Sequence, residues 1–169
     1  VSANNLSIDK ELLIRKRYNC NKDELLIVVA PRVSGNNVYK YINYLKSMSV
    51  KVCAKFVIAI KPTIYLDSFS KIGNDKVFIE CGPKDFYDLL SAADIVISHT
   101  REQKNIIASS LLPLTWMESM LRETPVFTNE APGVSDIIID NYTGVIYKTD
   151  DDLASKLLES DVKKNIENM

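Results

Sequence analysis

Short, continuous apolar runs are the feature that most constrains how this chain can fold. The clearest covers residues 25–30, LLIVVA, where no polar residue interrupts the sequence. A strand with one wet face alternates apolar and polar residues, whereas an uninterrupted run suits a strand buried on both faces of a parallel sheet. Further runs at residues 56–60, 77–81, 95–98, 125–128 and 144–147 bring the predicted strands to about six.

Amphipathic segments separate these runs. After the first run, Val38, Tyr41, Ile42 and Leu45 recur at the spacing of one helical face. Other helices are predicted over residues 8–18 with Ser7 as cap, from Pro62 to about Gly73, from Gly82 to Ala93, and over 150–158 with a cap within 150–152. These helices supply the crossover connections that parallel neighbours need. The predicted fold is therefore α/β, a doubly wound, mostly parallel, Rossmann-like sheet of about six strands with helices on both faces.

Residues 110–147 carry a dense set of helix and loop signals. A helix is predicted to turn Leu114, Met117 and Leu121 toward the core, with Glu118 at the border of that stripe. The next strand is followed by a loop at 130–133 and by a second short helix before the last strand. Because ligands of parallel α/β sheets bind outside the carboxyl ends of strands, this loop is expected to lie near a ligand.

The totals favour one globular domain. A chain of 169 residues has room for a single core, with residues 1–7 and 161–169 expected to be loose. The net charge of −1 does not favour nucleic acid or an anionic membrane as a partner. No apolar run approaches the roughly 18 residues of a membrane span. The absence of an initiator methionine suggests an excised or processed domain.

Cysteine and histidine usage argues against a metal site. The three cysteines form no CxxC pair, and His99 is the only histidine, so a zinc site has almost no ligands to use. The acidic run at 150–152 is interpreted as a solvated helix start and not as a magnesium site. An odd cysteine count without metal spacing suits reduced thiols and a cytoplasmic location.

Three stretches together resemble the carboxy-terminal domain of group 1 (family 4) glycosyltransferases. Residues 28–32, VVAPR, resemble the family's first strand, which ends in an arginine. Residues 88–98, DLLSAADIVIS, resemble its helix–strand unit with an Ala-Asp pair. Residues 117–145 resemble its EAMA, G-x-PVV, GG-x-x-E and DG-x-x-G signature. The resemblance covers about residues 24–160.

The resemblance implies a donor-binding domain, the second half of a two-domain GT-B enzyme that transfers a sugar from a nucleotide-diphosphate sugar. Arg32 and Glu118 match the two catalytic positions, an arginine facing the diphosphate and a glutamate holding the ribose hydroxyls. Donor contacts are carried over, by position, to these two residues and to Gly82, Ser110, Leu111, Leu114 and Gly133. No cofactor besides the donor and no metal is implied. The partners would be the donor and an absent amino-terminal Rossmann-like domain, through which any membrane contact would be made.

The chain departs from the family at three places. Ser110 stands where the family has a second glutamate, eight residues before Glu118. Asn37 and Val38 stand where it has a lysine, and Lys40 is out of register. Pro113 replaces a glycine whose N–H approaches phosphate, and proline has no N–H to give. A preorganised charge is worth on the order of 100-fold in rate, so the chain is either a divergent member with compensating groups or one that has lost catalysis. Because the acceptor site would lie in the absent amino-terminal domain, the isolated domain is expected to turn over little or nothing.

Each candidate residue also has a purely structural interpretation. Glu118 would then be a helix-surface residue paired with Arg122, and Arg32 a loop residue paired with an acid. Ser110 and His99 would be loop residues, and Trp116 would belong to the core or to an interdomain contact. Gly133 and Gly144 are expected to serve backbone geometry, through positive φ or close approach.

Two rival functions remain open beside the transferase. One is a catalytically inactive domain of the same fold that serves as a binding or interaction module. The other is an unrelated doubly wound domain, although neither a GxGxxG turn nor a GxxxxGK[ST] loop is present.

Overall fold

The structure, a computed structural model, describes residues 7–30, 36–60, 74–82, 85–98, 113–131 and 133–159. The strands in this part of the chain are β1 Leu25–Val29, β2 Ala54–Ile60, β3 Val77–Cys81, β4 Ile95–Ser98, β5 Val126–Asn129 and β6 Gly144–Tyr147. The helices are α1 Ile8–Arg17, α2 Asn36–Ser49, α3 Phe86–Ala92, α4 Leu114–Met120 and α5 Asp150–Leu158. None of the described helices is long and apolar enough to pass through a lipid bilayer.

The six strands form one parallel sheet in the order β3-β2-β1-β4-β5-β6. The chain therefore winds outward from β1 in one direction and then from β4 in the other, which is the doubly wound arrangement. All five residues of β1 are buried, as the continuous apolar run predicted. The predicted α/β fold class is confirmed.

Helices cover both faces of this sheet. On one face, α2 and α5 pack over the side chains of Ile27, Phe56 and Phe127. On the other face, α1 and α3 pack over Leu26 and Val28. Val96 of that second cluster pairs in register with Val126, against which α4 packs, so α4 lies on the same side as α1 and α3.

Asp94, the acid of the Ala-Asp pair, fastens three elements together just before β4. Its Oδ2 accepts a hydrogen bond from the backbone N–H of Leu26 at 2.7 Å, and its Oδ1 accepts one from Arg15 Nη2 at 2.7 Å. The carboxylate thereby satisfies a backbone donor at the start of the sheet and a guanidinium from α1. The structure thus gives this aspartate of the motif a role in holding the fold.

The orientation predicted for α4 is wrong. Leu114, Met117 and Leu121 are exposed by 69%, 51% and 66%, and the buried residues of the helix are Trp116 and Ser119. Trp116 is large enough to fill the space beneath the helix. Ser119 is small, and its buried hydroxyl donates a hydrogen bond to the Thr115 carbonyl at 2.6 Å. The buried face is therefore set by one bulky and one small residue, and not by the leucine spacing.

Three smaller expectations also need correction. The predicted second short helix after β5 is a series of turns over residues 133–137. The cap of α5 is Thr149, whose Oγ1 accepts from the Asp152 N–H at 3.1 Å, while Asp152 Oδ2 accepts from the Lys148 N–H at 2.8 Å. Ser7 is at the N-cap of α1 but makes no side-chain cap bond, and only its carbonyl accepts from the helix. The helix predicted from Pro62 to Gly73 falls outside the described residues.

Candidate functional site

The carboxyl ends of the six parallel strands meet at one edge of the sheet, where a ligand of this fold is expected. Gly82 follows β3 at this edge, and residues 130–131 and 133 follow β5. Helices α3 and α4 begin on the same side, because each leads from the carboxyl end of one strand to the start of the next. The sheet reverses its winding between β1 and β4. The residues that follow those two strands, 31–35 and 99–112, lie outside the described part of the chain.

Glu118 lies on α4 and faces the first turn of α3. Its Oε1 accepts a hydrogen bond from the hydroxyl of Tyr87 at 3.1 Å. Within the described ranges, its Oε2 has neither a hydrogen bond nor an ion pair. Tyr87 is the second residue of α3, and that helix begins four residues after Gly82. The contact therefore brings the glutamate to the helix that follows the Gly82 loop.

Arg122 packs against the same pair, but not as the sequence suggested. Its Nη1 donates to the backbone carbonyl of Glu118 at 2.7 Å, and its guanidinium carbon lies 4.6 Å from the centroid of the Tyr87 ring. A guanidinium at this distance is attracted to the ring by a cation–π interaction. The carboxylate–guanidinium pairing of Glu118 with Arg122 is thus not formed, so the guanidinium does not occupy the carboxylate.

Two glycines at this edge adopt left-handed backbone conformations. Gly82 has φ +54° and Gly133 has φ +81°. Among the described residues, a Cβ added at Gly133 would meet Asp136 Oδ2 alone, at 3.9 Å, so the requirement for glycine comes from the backbone angle. Gly144 shows the opposite case, since a Cβ there would overlap the carbonyl oxygen of Val126. The sequence predicted that Gly133 and Gly144 serve positive φ or close approach. The structure confirms positive φ at Gly133 and close approach at Gly144.

The start of α4 is built from Pro113 and Trp116. Pro113 is buried at the N-cap position with extended backbone, and its carbonyl accepts from the Trp116 N–H at 3.0 Å. Trp116 is 2% exposed and packs with Val126, Val134 and Ile138 beneath the turns that follow β5. Its assignment to the core is confirmed. Its Nε1–H has no hydrogen-bond partner in the part of the chain that the structure describes.

The structure describes four of the seven residues predicted to form the site. Gly82, Glu118 and Gly133 follow or flank the carboxyl edge as set out above, and Leu114 is an exposed residue at the start of α4. Arg32, Ser110 and Leu111 lie outside the described residues, so the predicted meeting of Arg32 with Glu118 stays a prediction. His99 lies outside them too. Among the described residues there is no group of three or more His, Cys, Asp or Glu side chains placed to hold a metal ion.

Tyr87 is the residue at this edge that the sequence analysis missed. Its neighbours Phe86, Leu89 and Leu90 marked the apolar face of α3, and Tyr87 lies off that face with half of its surface exposed. The sequence could have indicated Tyr87 as an aromatic residue that lies off the apolar face in the first turn of a helix. Such a pattern indicates a side chain near the carboxyl edge, but it does not identify Glu118 as its partner.

Comparison with known proteins identifies the fold. No family model and no curated protein matches the sequence. Among solved structures, HepE of Anabaena in complex with UDP-glucose superposes with a TM-score of 0.71 at 14% identity, over 99% of this chain and 49% of that one. A glycosyltransferase from Rickettsia africae gives a TM-score of 0.67 at 17% identity, over 97% of this chain and 46% of that one. The chain thus spans about half the length of these two proteins.

A third solved structure corresponds to the chain over nearly its whole length. It is the C-terminal domain of the glycosyl transferase group 1 family protein LpcC from Francisella tularensis, with a TM-score of 0.62 at 15% identity. The match covers 99% of this chain and 93% of that domain. At such low identity the likeness concerns the fold. The chain has the fold of the carboxy-terminal domain of a group 1 glycosyltransferase.

Proposed function

We propose that this chain is the donor-binding domain of a two-domain glycosyltransferase and that it binds the nucleoside diphosphate part of an activated sugar. The observation that carries the proposal is the carboxylate of Glu118. Tyr87 holds its Oε1 against the first turn of α3, and its Oε2 accepts no hydrogen bond from a described residue. A ribose diol is recognised by a carboxylate acceptor in related nucleotide-binding folds. On a sheet whose ligands bind at the carboxyl edge, this carboxylate is in the right part of the molecule for that task.

The remaining roles follow from the resemblance and from the chemistry of a diphosphate. A diphosphate needs cations or aimed backbone N–H groups, and Arg32 is proposed to offset the charge on the leaving diphosphate. Glu118 fixes the ribose and so positions the reacting carbon. Gly82 and Gly133 provide backbone that approaches the ligand. Ser110, Leu111 and Leu114 complete the donor contacts.

The whole enzyme would break the anomeric C–O bond to the diphosphate and transfer the sugar to an acceptor. The acceptor site would lie in an amino-terminal Rossmann-like domain, so this chain by itself binds the donor without turning it over. The donor is a substrate, and no further cofactor or metal enters the proposal. A cytoplasmic location, inferred from the odd number of cysteines, belongs to the same proposal.

The test is a titration of the 169-residue chain with UDP, GDP, ADP and CDP. Calorimetry measures the affinity of each nucleotide, and NMR measures affinities in the millimolar range. One of the four should bind, and Glu118→Gln should weaken its binding by at least about 10-fold, since a hydrogen bond to a charged acceptor is lost. Glu123→Gln removes the same charge from an exposed residue beyond the end of α4 and should leave binding unchanged. Absence of binding to all four would refute the proposal, as would equal effects of the two substitutions.

An interaction module is the second candidate, and one observation favours it. Three large apolar side chains of α4 and its C-terminal end are exposed to solvent: Leu114, Met117 and Leu121. Met117 and Leu121 are not among the proposed donor contacts, so replacing both by glutamine should leave nucleoside diphosphate binding intact if the transferase proposal is right. If no nucleotide binds, and the wild-type chain self-associates in sedimentation experiments while the double variant stays monomeric, the interaction module is the better account.

A further inference from the structure

We infer that Tyr87 is a positioning residue for the ribose-binding carboxylate, an inference that rests on the proposed function. The contact that assigns this role is the one between Tyr87 and the Glu118 carboxylate. Its hydroxyl donates to Oε1 at 3.1 Å and so fixes the rotation of the carboxylate about its last bond. Glu118 Oε2, which accepts no hydrogen bond from any described residue, is then the oxygen turned toward the ribose.

A glutamate on a half-exposed helix face would otherwise sample several rotamers. Ordering a side chain of this kind costs roughly 1.5–2 kcal/mol of conformational entropy. If a partner already holds the carboxylate before the ligand arrives, the ligand does not bear that cost in full. The Tyr87 hydroxyl therefore preorganises the site.

Arg122 holds the tyrosine in turn. Its guanidinium carbon lies over the Tyr87 ring at 4.6 Å, and its Nη1 is anchored on the Glu118 carbonyl at 2.7 Å. The three residues thus form a closed arrangement, the Tyr87–Glu118–Arg122 brace, in which backbone, ring and carboxylate fix one another. Because the positive charge lies over the ring and not on the carboxylate, it does not compete with the ribose hydroxyls.

The brace predicts a selective effect on the ribose. Tyr87→Phe removes one hydroxyl and keeps the ring beneath Arg122. It should weaken binding of the nucleoside diphosphate found in the titration by about fivefold, because the ligand must then order the Glu118 side chain itself. It should leave binding of the 2′,3′-dideoxy form of the same nucleotide unchanged, because that ligand has no diol for Glu118 to accept from.

The experiment measures the affinities of both nucleotides for the wild-type chain, Tyr87→Phe, Glu118→Gln and the double variant. Tyr142→Phe removes the hydroxyl of another exposed tyrosine, in the turn before β6, and serves as the matched control. In the double variant, Tyr87→Phe should add nothing to the effect of Glu118→Gln, since its only action is through that carboxylate.

Each outcome decides the matter. An equal loss for the ribose and dideoxy ligands would show a merely structural role for Tyr87 and overturn the inference. If Tyr87→Phe lowers the affinity for neither ligand while Glu118→Gln still weakens binding of the ribose form, the inference is overturned and the proposed function is retained. Failure of the wild-type chain to bind any of the four diphosphates would refute both.

Discussion

At the scale of single residues, backbone geometry distinguishes the two glycines of the carboxyl-terminal half. Gly144, at the start of β6, has no room for a Cβ because the carbonyl oxygen of Val126 on the neighbouring strand occupies the space. Ile138 Cγ2 would also lie close, at 3.1 Å from the same Cβ. Gly133 has open space but a left-handed backbone angle, which costs an L-residue roughly 1–2 kcal/mol.

Gly144→Ala should therefore destabilise the protein by more than about 3 kcal/mol, since backbone on β5 would have to move. Gly133→Ala should cost only about 1 kcal/mol, the strain of the positive φ without a clash. Urea denaturation of the two variants beside the wild type measures both values. A smaller loss for Gly144→Ala than for Gly133→Ala would contradict the close approach of β5 and β6 at this position.

At the scale of elements, α1 and α4 end in the same way but with different residues. At the end of α4, the Thr124 N–H donates to the Ser119 carbonyl and the Glu123 N–H to the Met120 carbonyl, both at 3.0 Å. This is the Schellman pattern, which needs a left-handed residue, and Glu123 fills that position with φ +60°. At the end of α1, the equivalent residue is Asn19 with φ +49°. Asparagine tolerates this conformation better than glutamate does.

Glu123→Gly should therefore stabilise the protein by about 1 kcal/mol, as the strain of the left-handed glutamate is removed. The G-x-PVV motif that residues 123–127 resemble has glycine at this position, as the same physical requirement predicts. Asn19→Gly is the matched control and should change stability by less, because asparagine is already suited to the site. Midpoints of urea denaturation provide the comparison, and a loss of stability in Glu123→Gly would disprove the strain argument.

At the scale of the whole molecule, the sequence predicted the sheet better than the surfaces of the helices. The bounds of β3, β4 and β6 agree with the predicted runs. In β4 all four residues are buried, so the run leaves no ambiguity of side. For α4 the spacing showed that a face exists but not which one is buried, and Trp116 with Ser119 decided it through volume.

Only part of the candidate site could be predicted from the sequence. Glu118, Gly133 and Gly144 lie within the quoted motifs, and the structure confirms the backbone geometry expected of the two glycines. The donor contact of Glu118 stays a prediction. The motifs did not reveal the brace, because Tyr87 and Glu118 are 31 residues apart and meet only through the packing of α3 on α4.

Buried tyrosines make the stability of the whole molecule sensitive to alkali. Burial raises the pKa of Tyr18 to about 12, and it also raises the pKa values of Tyr41, Tyr44 and Tyr147. In the unfolded chain these phenols lose their protons near pH 10, whereas the folded chain retains them, so unfolding releases protons above that pH. The stabilisation is fully present below about pH 10 and is lost as the pH rises toward the folded pKa of about 12 for Tyr18.

The free energy of unfolding should therefore fall across that window, and Tyr18→Phe should reduce the slope by up to about 1.4 kcal/mol per pH unit, the contribution of one proton. Urea denaturation from about pH 8 to about pH 12, with tyrosinate absorbance recorded alongside, gives the slope for both proteins. Comparing slopes and not absolute stabilities separates the titration from the hydrogen bond that the Tyr18 hydroxyl donates to Glu80 at 3.1 Å. Identical slopes for the two proteins would mean that the phenol of Tyr18 ionises in the folded chain as readily as in the unfolded one.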